Sequence, residues 1–373
     1  MKEIEHNVTI SQYSGTHFEV GKKLGERAKI VHGPNYVDNA LAAIKGSFLY
    51  EALGMNFELS SEYIERTFPV IEEAIGRVHS DLLKEIQGFA AGLGESYSRA
   101  LVFTSNFGND RGCSQFFLNG YHARNYDDNP NSVENEFLLL HTTGSFISFG
   151  ASTGYVERLD GINEKGLAVS LTFGAGKPPT QQGIGSAMFQ RIVLDKASSV
   201  DEALDLFDKT PYVTPNNVLI SDANGNSVVI EASAGKHRIR RGAKGSILVC
   251  ANSYLHPDMR DQQIHKNPTT VWREARMKKF QDKLRNEDDI MDLLTTDFPN
   301  GLFEPYFTDG LGTLWSVIYH PESRGILLAI GEKNSGRKEL RFSLSDTSTF
   351  DRLPLTLQTQ LKDVVLAERL PQY

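Results

Sequence analysis

Asn119-Gly120 is the strongest local constraint in this 373-residue chain. Both residues tolerate φ > 0, and apolar-rich runs flank them, which is the signature of a two-residue β-hairpin turn. Such a turn fixes the strand register. Leu118 then faces Tyr121, Phe117 faces His122, Gln115 faces Arg124 and Cys113 faces Tyr126. Diagonal neighbours on one face lie roughly 7–8 Å apart by Cα, so Cys113 and Arg124 are expected side by side. A guanidinium beside a thiol favours the thiolate.

The residue before the cysteine is Gly112. Without a Cβ it can take strained conformations, and its carbonyl is open to the following side chain. A thiol that attacked this carbonyl would release Cys113 as a new N-terminus. The freed α-amine has an ordinary pKa of ~7.7–8.0, close to a thiol's ~8.5, so it could serve as that thiol's base without a histidine. The competing reading is plain: a lone strand cysteine is often a small buried hydrophobe.

Gly112-Cys113-Ser114, the short hairpin and Arg124-Asn125-Tyr126-Asp127 resemble the N-terminal-nucleophile (Ntn) cysteine hydrolases. The nearer branch is the penicillin acyl-coenzyme A acyltransferase (isopenicillin N acyltransferase-like) family. Bile-salt hydrolase and penicillin V acylase are more distant. Asp160-Gly161-Ile162-Asn163-Glu164-Lys165-Gly166-Leu167 resembles a second block of the same relatives. The resemblance implies an α+β fold, the Ntn αββα four-layer sandwich with two antiparallel sheets between helical layers. It also implies roles. Cys113 would be the nucleophile, Gly112-Cys113 the autocleavage site, Arg124 the thiol's neighbour and Asp127 the holder of its α-amine. Asn252, at a strand end, would supply an oxyanion-hole amide. Thr172 stands where bile-salt hydrolases carry Asn, which leaves a backbone N–H for that role and weakens a bile-salt assignment. Arg273 loosely matches a helix-start Arg near the site, with Arg276 an equal candidate, although a solvated helix face is the plainer reading. Arg273 and Tyr126 are the expected substrate contacts. Strict alternation puts Asp127 on the opposite face from Cys113, so a bulge or strand end is needed near Tyr126.

Composition narrows the rest. Hydrophobic residues make up 40% and charged ones 23%, enough for a sizeable core. The net charge of −8 argues against broad nucleic-acid binding. No run of 18 apolar residues predicts a membrane helix, and Met1 to His6 lacks a signal-peptide core, so a soluble cytoplasmic protein is expected. Cys113 and Cys250 are then improbable disulfide partners. No His-Glu-x-x-His or Cys-x-x-Cys pattern supports a metal, and no cofactor is expected.

In chain order, residues 7–13 alternate as a strand. Helical patterns run from about Phe18 to Met55, broken at Gly33-Pro34, and from Ser60 to Gly94, split or kinked at Pro69. Strands follow at 137–141, 145–149, 158–162, 167–173, 217–221, 227–232 and 247–252. Helices fall at 186–197 and after a capping box at Ser199-Val200-Asp201-Glu202. Gly174-Ala175-Gly176-Lys177 reads as a mobile loop beside the cleft. No linker stands out, so one domain, 1–373, is expected, cut into a mainly helical 1–112 and a large 113–373. The expected activity is a self-processing amidohydrolase or acyltransferase that acts on a small acyl amide or acyl-coenzyme A through acyl-Cys113. The alternative is an uncleaved, non-enzymatic binding or scaffold protein. The oligomeric state is left open, a homo-oligomer included.

Overall fold

The computed structural model describes residues 2–45, 59–106, 112–130, 135–174, 176–177, 182–233, 235–264, 268–309, 311–346 and 351–364. The chain begins with β1 (Lys2–Gly15), α1 (His17–His32), α2 (Tyr36–Lys45), α3 (Ser61–Leu93) and α4 (Tyr97–Asn106). The predicted hairpin follows as β2 (Cys113–Leu118) and β3 (Tyr121–Asp128). Next come β4 (Glu136–Thr142), β5 (Ser148–Thr153), β6 (Glu157–Arg158), β7 (Asp160–Asn163) and β8 (Ala168–Phe173). After α5 (Ser186–Lys196) and α6 (Val200–Lys209) lie β9 (Asn216–Ser221), β10 (Ser227–Ser233), β11 (Lys236–Arg241) and β12 (Leu248–Cys250). The chain continues through α7 (Pro268–Phe280), α8 (Glu287–Thr295), β13 (Pro305–Tyr306), β14 (Leu311–His320), β15 (Gly325–Glu332), β16 (Ser335–Ser343) and β17 (Leu355–Asp363).

Two sheets result. One runs β11-β10-β9-β8-β7-β5-β4-β1-β17, with β6 on β5; the other runs β12-β2-β3-β14-β15-β16, with β13 on β14. The β1–β4 pair is parallel, and the remaining described pairs are antiparallel.

Strand β4 shows why its sequence is apolar without alternation. Phe137 and Leu139 point between the sheets, where they join Val8, Ile162, Trp315 and Val317. Leu138 and Leu140 point the other way, onto Leu24, Ile75, Ile86 and Phe89 of α1 and α3. The second sheet turns Phe116, Ala123 and Ile318 outward onto Met277 of α7 and Ile290 and Leu294 of α8. Helix, sheet, sheet, helix is therefore the layer order, as the resemblance implied. Each large apolar side chain buried this way contributes ~1.5–3 kcal/mol.

The first helical layer holds a seam that the hydrophobic pattern does not reveal. Gly21 of α1 meets the carbonyl of Glu85 so closely that a Cβ would lie 1.8 Å from it, and Gly88 of α3 reciprocates against the carbonyl of Phe18 at 2.1 Å. The helices therefore cross with their backbones nearly touching.

Several local expectations change. Helix α3 runs through Pro69, which lies on the exposed face where water can satisfy the carbonyl its missing N–H frees. The break comes at His79 instead (φ −158°, ψ 71°), where the buried ring meets Asp195 at 2.9 Å. β5 starts at Ser148 rather than 145 because a turn with Gly144 at φ 87° precedes it. At α6, Ser199 caps Glu202, but the Glu202 carboxylate reaches back to Ser198 and leaves the box half formed. Residues 46–58, which include the end of the predicted first helical stretch, lie outside the described residues. Among the described residues, no helix is long and apolar enough to cross a membrane.

Candidate active site

Asn119 (φ 48°) and Gly120 (φ 87°) form the turn, and the register is the one their chemistry dictates, with Cys113 opposite Tyr126 and Gln115 opposite Arg124. Cys113 and Arg124 share the inter-sheet face. Arg124 Nη2 donates to Cys113 Sγ at 3.4 Å. Its Nη1 donates to Asp160 Oδ2 at 2.9 Å and to the Leu159 carbonyl. Asp160 is itself fixed by Tyr319 Oη at 2.6 Å, Trp315 Nε1 at 3.2 Å and the Ala151 N–H at 3.3 Å. The guanidinium is thus locked on both sides. It does not secure a thiolate in the continuous chain. Burial pushes the Cys113 thiol up to about 11; Arg124 pulls the other way, and the charge of Asp127 adds to the rise. Desolvation outweighs one neighbouring cation.

Tyr126, an expected substrate contact, is a core residue. Its ring is fully buried and stacks on Trp315 at 4.4 Å, with the Arg124 guanidinium 4.9 Å away on the ring, and its hydroxyl donates to Asp128 at 3.0 Å.

The Gly112–Cys113 peptide is held at several points. The Asp127 N–H donates to the Gly112 carbonyl at 3.0 Å. The Cys113 N–H donates to Asn252 Oδ1 at 3.1 Å. Arg273 Nη1 donates to the Cys113 carbonyl at 2.5 Å and to Ser114 Oγ at 2.8 Å, while Nη2 donates to Asn252 Oδ1 at 2.8 Å and Thr270 Oγ1 at 3.3 Å. A guanidinium only donates, so the Asn252 atom facing it is the oxygen. The Asn252 amide nitrogen donates to the Phe173 carbonyl at 3.0 Å. Arg273 is fully buried, which overturns the solvated-face reading, and its contacts are with the chain rather than with open space. Gly112 has no positive φ, and a Cβ there would lie 3.3 Å from Leu311 Cδ2 and 3.5 Å from Asp127 Cβ. Its position therefore does not use the conformational freedom of glycine.

Thr172 holds the neighbouring strand end. Its hydroxyl donates to the Ala251 carbonyl at 2.6 Å and lies 3.7 Å from Cys250 Sγ. Asn217, which sequence reading missed, donates to the carbonyls of Ala251 (2.8 Å) and Ser253 (3.2 Å) and fixes the Asn252 backbone from both sides.

Asp127 points to the outer face of its sheet, as alternation indicated. The irregularity lies in the partner strand: Thr313 pairs with Asp127 and Trp315 with Tyr126, so Leu314 of β14 is the extra residue. Thr313 Oγ1 donates to Asp127 Oδ1 at 2.7 Å and accepts from the Glu304 N–H at 2.8 Å. Arg273 lies between two acids, with Nε 3.0 Å from Glu304 Oε1 and Nη1 3.6 Å from Asp127 Oδ2. Both acids are fully buried. Burial raises both carboxyls above their ordinary range, and the Glu304 charge pushes Asp127 further. Nothing in the sequence around Glu304 marked it. Asp160 did lie in the second family-like block.

A cavity of about 350 Å³ adjoins this end of the sheet, between Ser253, Tyr254 and Leu255 on one side and Thr270, Val271 and Glu274 on the other. The loop expected to be mobile is packed here. A Cβ on Gly174 would meet the Tyr254 ring at 2.6 Å, and Gly176 forms a bridge with Gln263. Residues 175 and 178–181 of that loop lie outside the described residues. Among the described residues, no group of three or more His, Cys, Asp or Glu side chains could hold a metal ion.

Residues 118–335 match the family described as acyl-coenzyme A:6-aminopenicillanic acid acyl-transferase. The matched span begins beyond Cys113. A penicillin V acylase from Pectobacterium atrosepticum is 26% identical over 145 residues, which cover 33% of this chain and 37% of that protein. The chain thus matches little more than a third of the length of that relative. The structure of penicillin V acylase from Agrobacterium tumefaciens is similar at 18% identity and a TM-score of 0.45, covering 66% of this chain and 90% of that one. A mutant of conjugated bile acid hydrolase from Clostridium perfringens gives 14% identity and a TM-score of 0.45, covering 68% of this chain and 98% of the other.

Proposed function

We propose, for a chain that belongs to the acyl-coenzyme A:6-aminopenicillanic acid acyl-transferase family, that Cys113 is the nucleophile of a self-processing acyl amidohydrolase or acyltransferase. The observation that carries the reading is the held peptide. Asp127 N–H polarises the Gly112 carbonyl at 3.0 Å, Asn252 and Arg273 fix the Cys113 backbone, and Arg124 Nη2 lies 3.4 Å from Sγ. A fixed carbonyl beside a fixed thiol is the arrangement that intramolecular attack needs. Attack by Sγ on the Gly112 carbon gives a thioester, which water hydrolyses to free residues 113–373 with Cys113 at the front. The new α-amine then serves as base for the thiol. A substrate amide or thioester passes its acyl group to Sγ, and the group leaves to water or to an amine. The Asp127 N–H remains as a donor for the developing oxyanion; one such donor contributes ~3 kcal/mol to lowering the barrier. The names of the relatives favour a small N-acyl amide, such as a phenoxyacetyl or phenylacetyl conjugate, and that of the family an acyl-coenzyme A.

One observation favours the rival, an uncut binding or scaffold protein: the Cys113 thiol is buried and pushed up to about 11 in the continuous chain. Incubation with a phenoxyacetyl amide followed by peptide mass mapping separates the two. An acyl group on the peptide that begins at Cys113 is the expected result. Labelling only at Cys250, or at neither cysteine, removes Cys113 from the role.

A further inference from the structure

Asp127, Glu304 and Arg273 form a buried cluster with one cation too few. All three side chains have no exposed surface. Arg273 faces Glu304 Oε1 at 3.0 Å and Asp127 Oδ2 at 3.6 Å. Asp127 Oδ2 has no hydrogen-bond partner, although its other oxygen accepts from Thr313 at 2.7 Å. That unpartnered oxygen lies 3.8 Å from the point where a Cβ of Gly112 would sit, so it borders the Gly112–Cys113 bond. The other groups facing the pair are Arg124, which serves Asp160 and the thiol, the Cys113 thiol and the Thr269 hydroxyl. Two ionised carboxylates against one guanidinium would leave a buried, uncompensated negative charge, which is costly. Carboxyls that share a site avoid this cost by holding a proton.

We propose that Asp127 and Glu304 share one proton around Arg273 in the uncut chain, and that this proton passes to the nitrogen of Cys113 as the Gly112–Cys113 bond breaks. Asp127 borders the reacting bond, and Glu304 is a positioning residue that acts through Asp127 and Arg273. The inference rests on the self-cleavage reading and deepens it. A bond forms between Cys113 Sγ and the Gly112 carbon, and the Gly112 carbon–nitrogen bond breaks. The thiol proton and the shared proton both go to nitrogen. The product is a thioester and an α-ammonium beside two carboxylates and Arg273, two positive charges against two negative. Cleavage thus supplies the cation the cluster lacks and leaves the new N-terminus paired with Asp127.

The test uses infrared difference spectra of the full-length Cys113→Ala chain, which cannot cut itself. At pH 7 it should show the carbonyl stretch of one protonated carboxyl, and that band should vanish in Cys113→Ala carrying either Glu304→Gln or Asp127→Asn. Loss in both is the signature of sharing, because the acid that remains ionises against Arg273. A band absent from the Cys113→Ala chain, or one that survives either substitution, overturns the proposal. Should Glu304→Gln fail to fold, Asp127→Asn gives the same readout. In parallel, cleavage of the otherwise wild-type chain should slow at least tenfold with Glu304→Gln, recover with Glu304→Asp, and fall toward high pH only where a carboxyl remains to lose its proton. An unchanged rate and pH profile in Glu304→Gln refutes the delivery of the proton. A wild-type chain that never cuts would end the self-cleavage reading and the proton's destination with it, while the infrared arm still decides the sharing.

Discussion

Arg273→Met should destabilise the protein by about 3–5 kcal/mol near pH 8, with a deficit that shrinks as the pH falls. The side chain is fully buried and donates to the Cys113 carbonyl, Ser114, Asn252 and Thr270. It is also the cation closest to Asp127 and Glu304, at 3.6 and 3.0 Å. Methionine fills most of the volume but leaves two buried acids without a counter-charge, and removal of one partner from a buried ion pair costs about 3–5 kcal/mol. The pH dependence follows from the direction of the shifts. Both carboxyls are already raised above their ordinary values, by burial first. An acid raised on folding binds more protons folded than unfolded, so its contribution to stability is lost as pH rises from its unfolded value toward its folded one. Without Arg273 both acids rise further and the loss steepens. As the pH falls and the acids take up protons, the charge contribution should fade and leave a smaller deficit from the lost hydrogen bonds alone. Urea denaturation of uncut Cys113→Ala with and without Arg273→Met, from pH 5 to 8, measures this. A deficit below about 1 kcal/mol at pH 8, or one independent of pH, refutes the charge argument.

Arg124→Lys keeps the charge but cannot bridge Asp160, the Leu159 carbonyl and Cys113 Sγ at once; cleavage should slow about 10²-fold or more in an intact-mass time course, and a wild-type rate would remove the fork from the account. Gly112→Ala should fold and still cut, because its Cβ would have contacts no closer than 3.3 Å and no positive φ is required; a complete block of cleavage in a folded variant would show that glycine itself is needed there.

The hairpin was the most legible part because Asn119-Gly120 permits one register, and the proximity of Cys113 and Arg124 follows from it. Alternation also placed Asp127 correctly, on the face away from the thiol. What it could not supply was the residue across the sheet, since the bulge at Leu314 lies in β14, almost 200 positions away in sequence. Arg273 was misread because its burial depends on how α7 lies against the second sheet, which no local pattern encodes. Glu304 was invisible for the same reason: it precedes a two-residue strand and matters only through Arg273 and Thr313. The direction of the Asn252 amide was set by a guanidinium that sequence could not place. The thiol's upward shift reflects complete burial between the sheets, whereas the sequence showed only the neighbouring cation.

The most direct test of the central claim is the intact mass of the purified wild-type protein beside Cys113→Ala after long incubation. Two wild-type fragments that correspond to residues 1–112 and 113–373, and one uncut Cys113→Ala chain, are the expected result. A wild-type protein that stays whole, or a Cys113→Ala chain cut at the same bond, contradicts it.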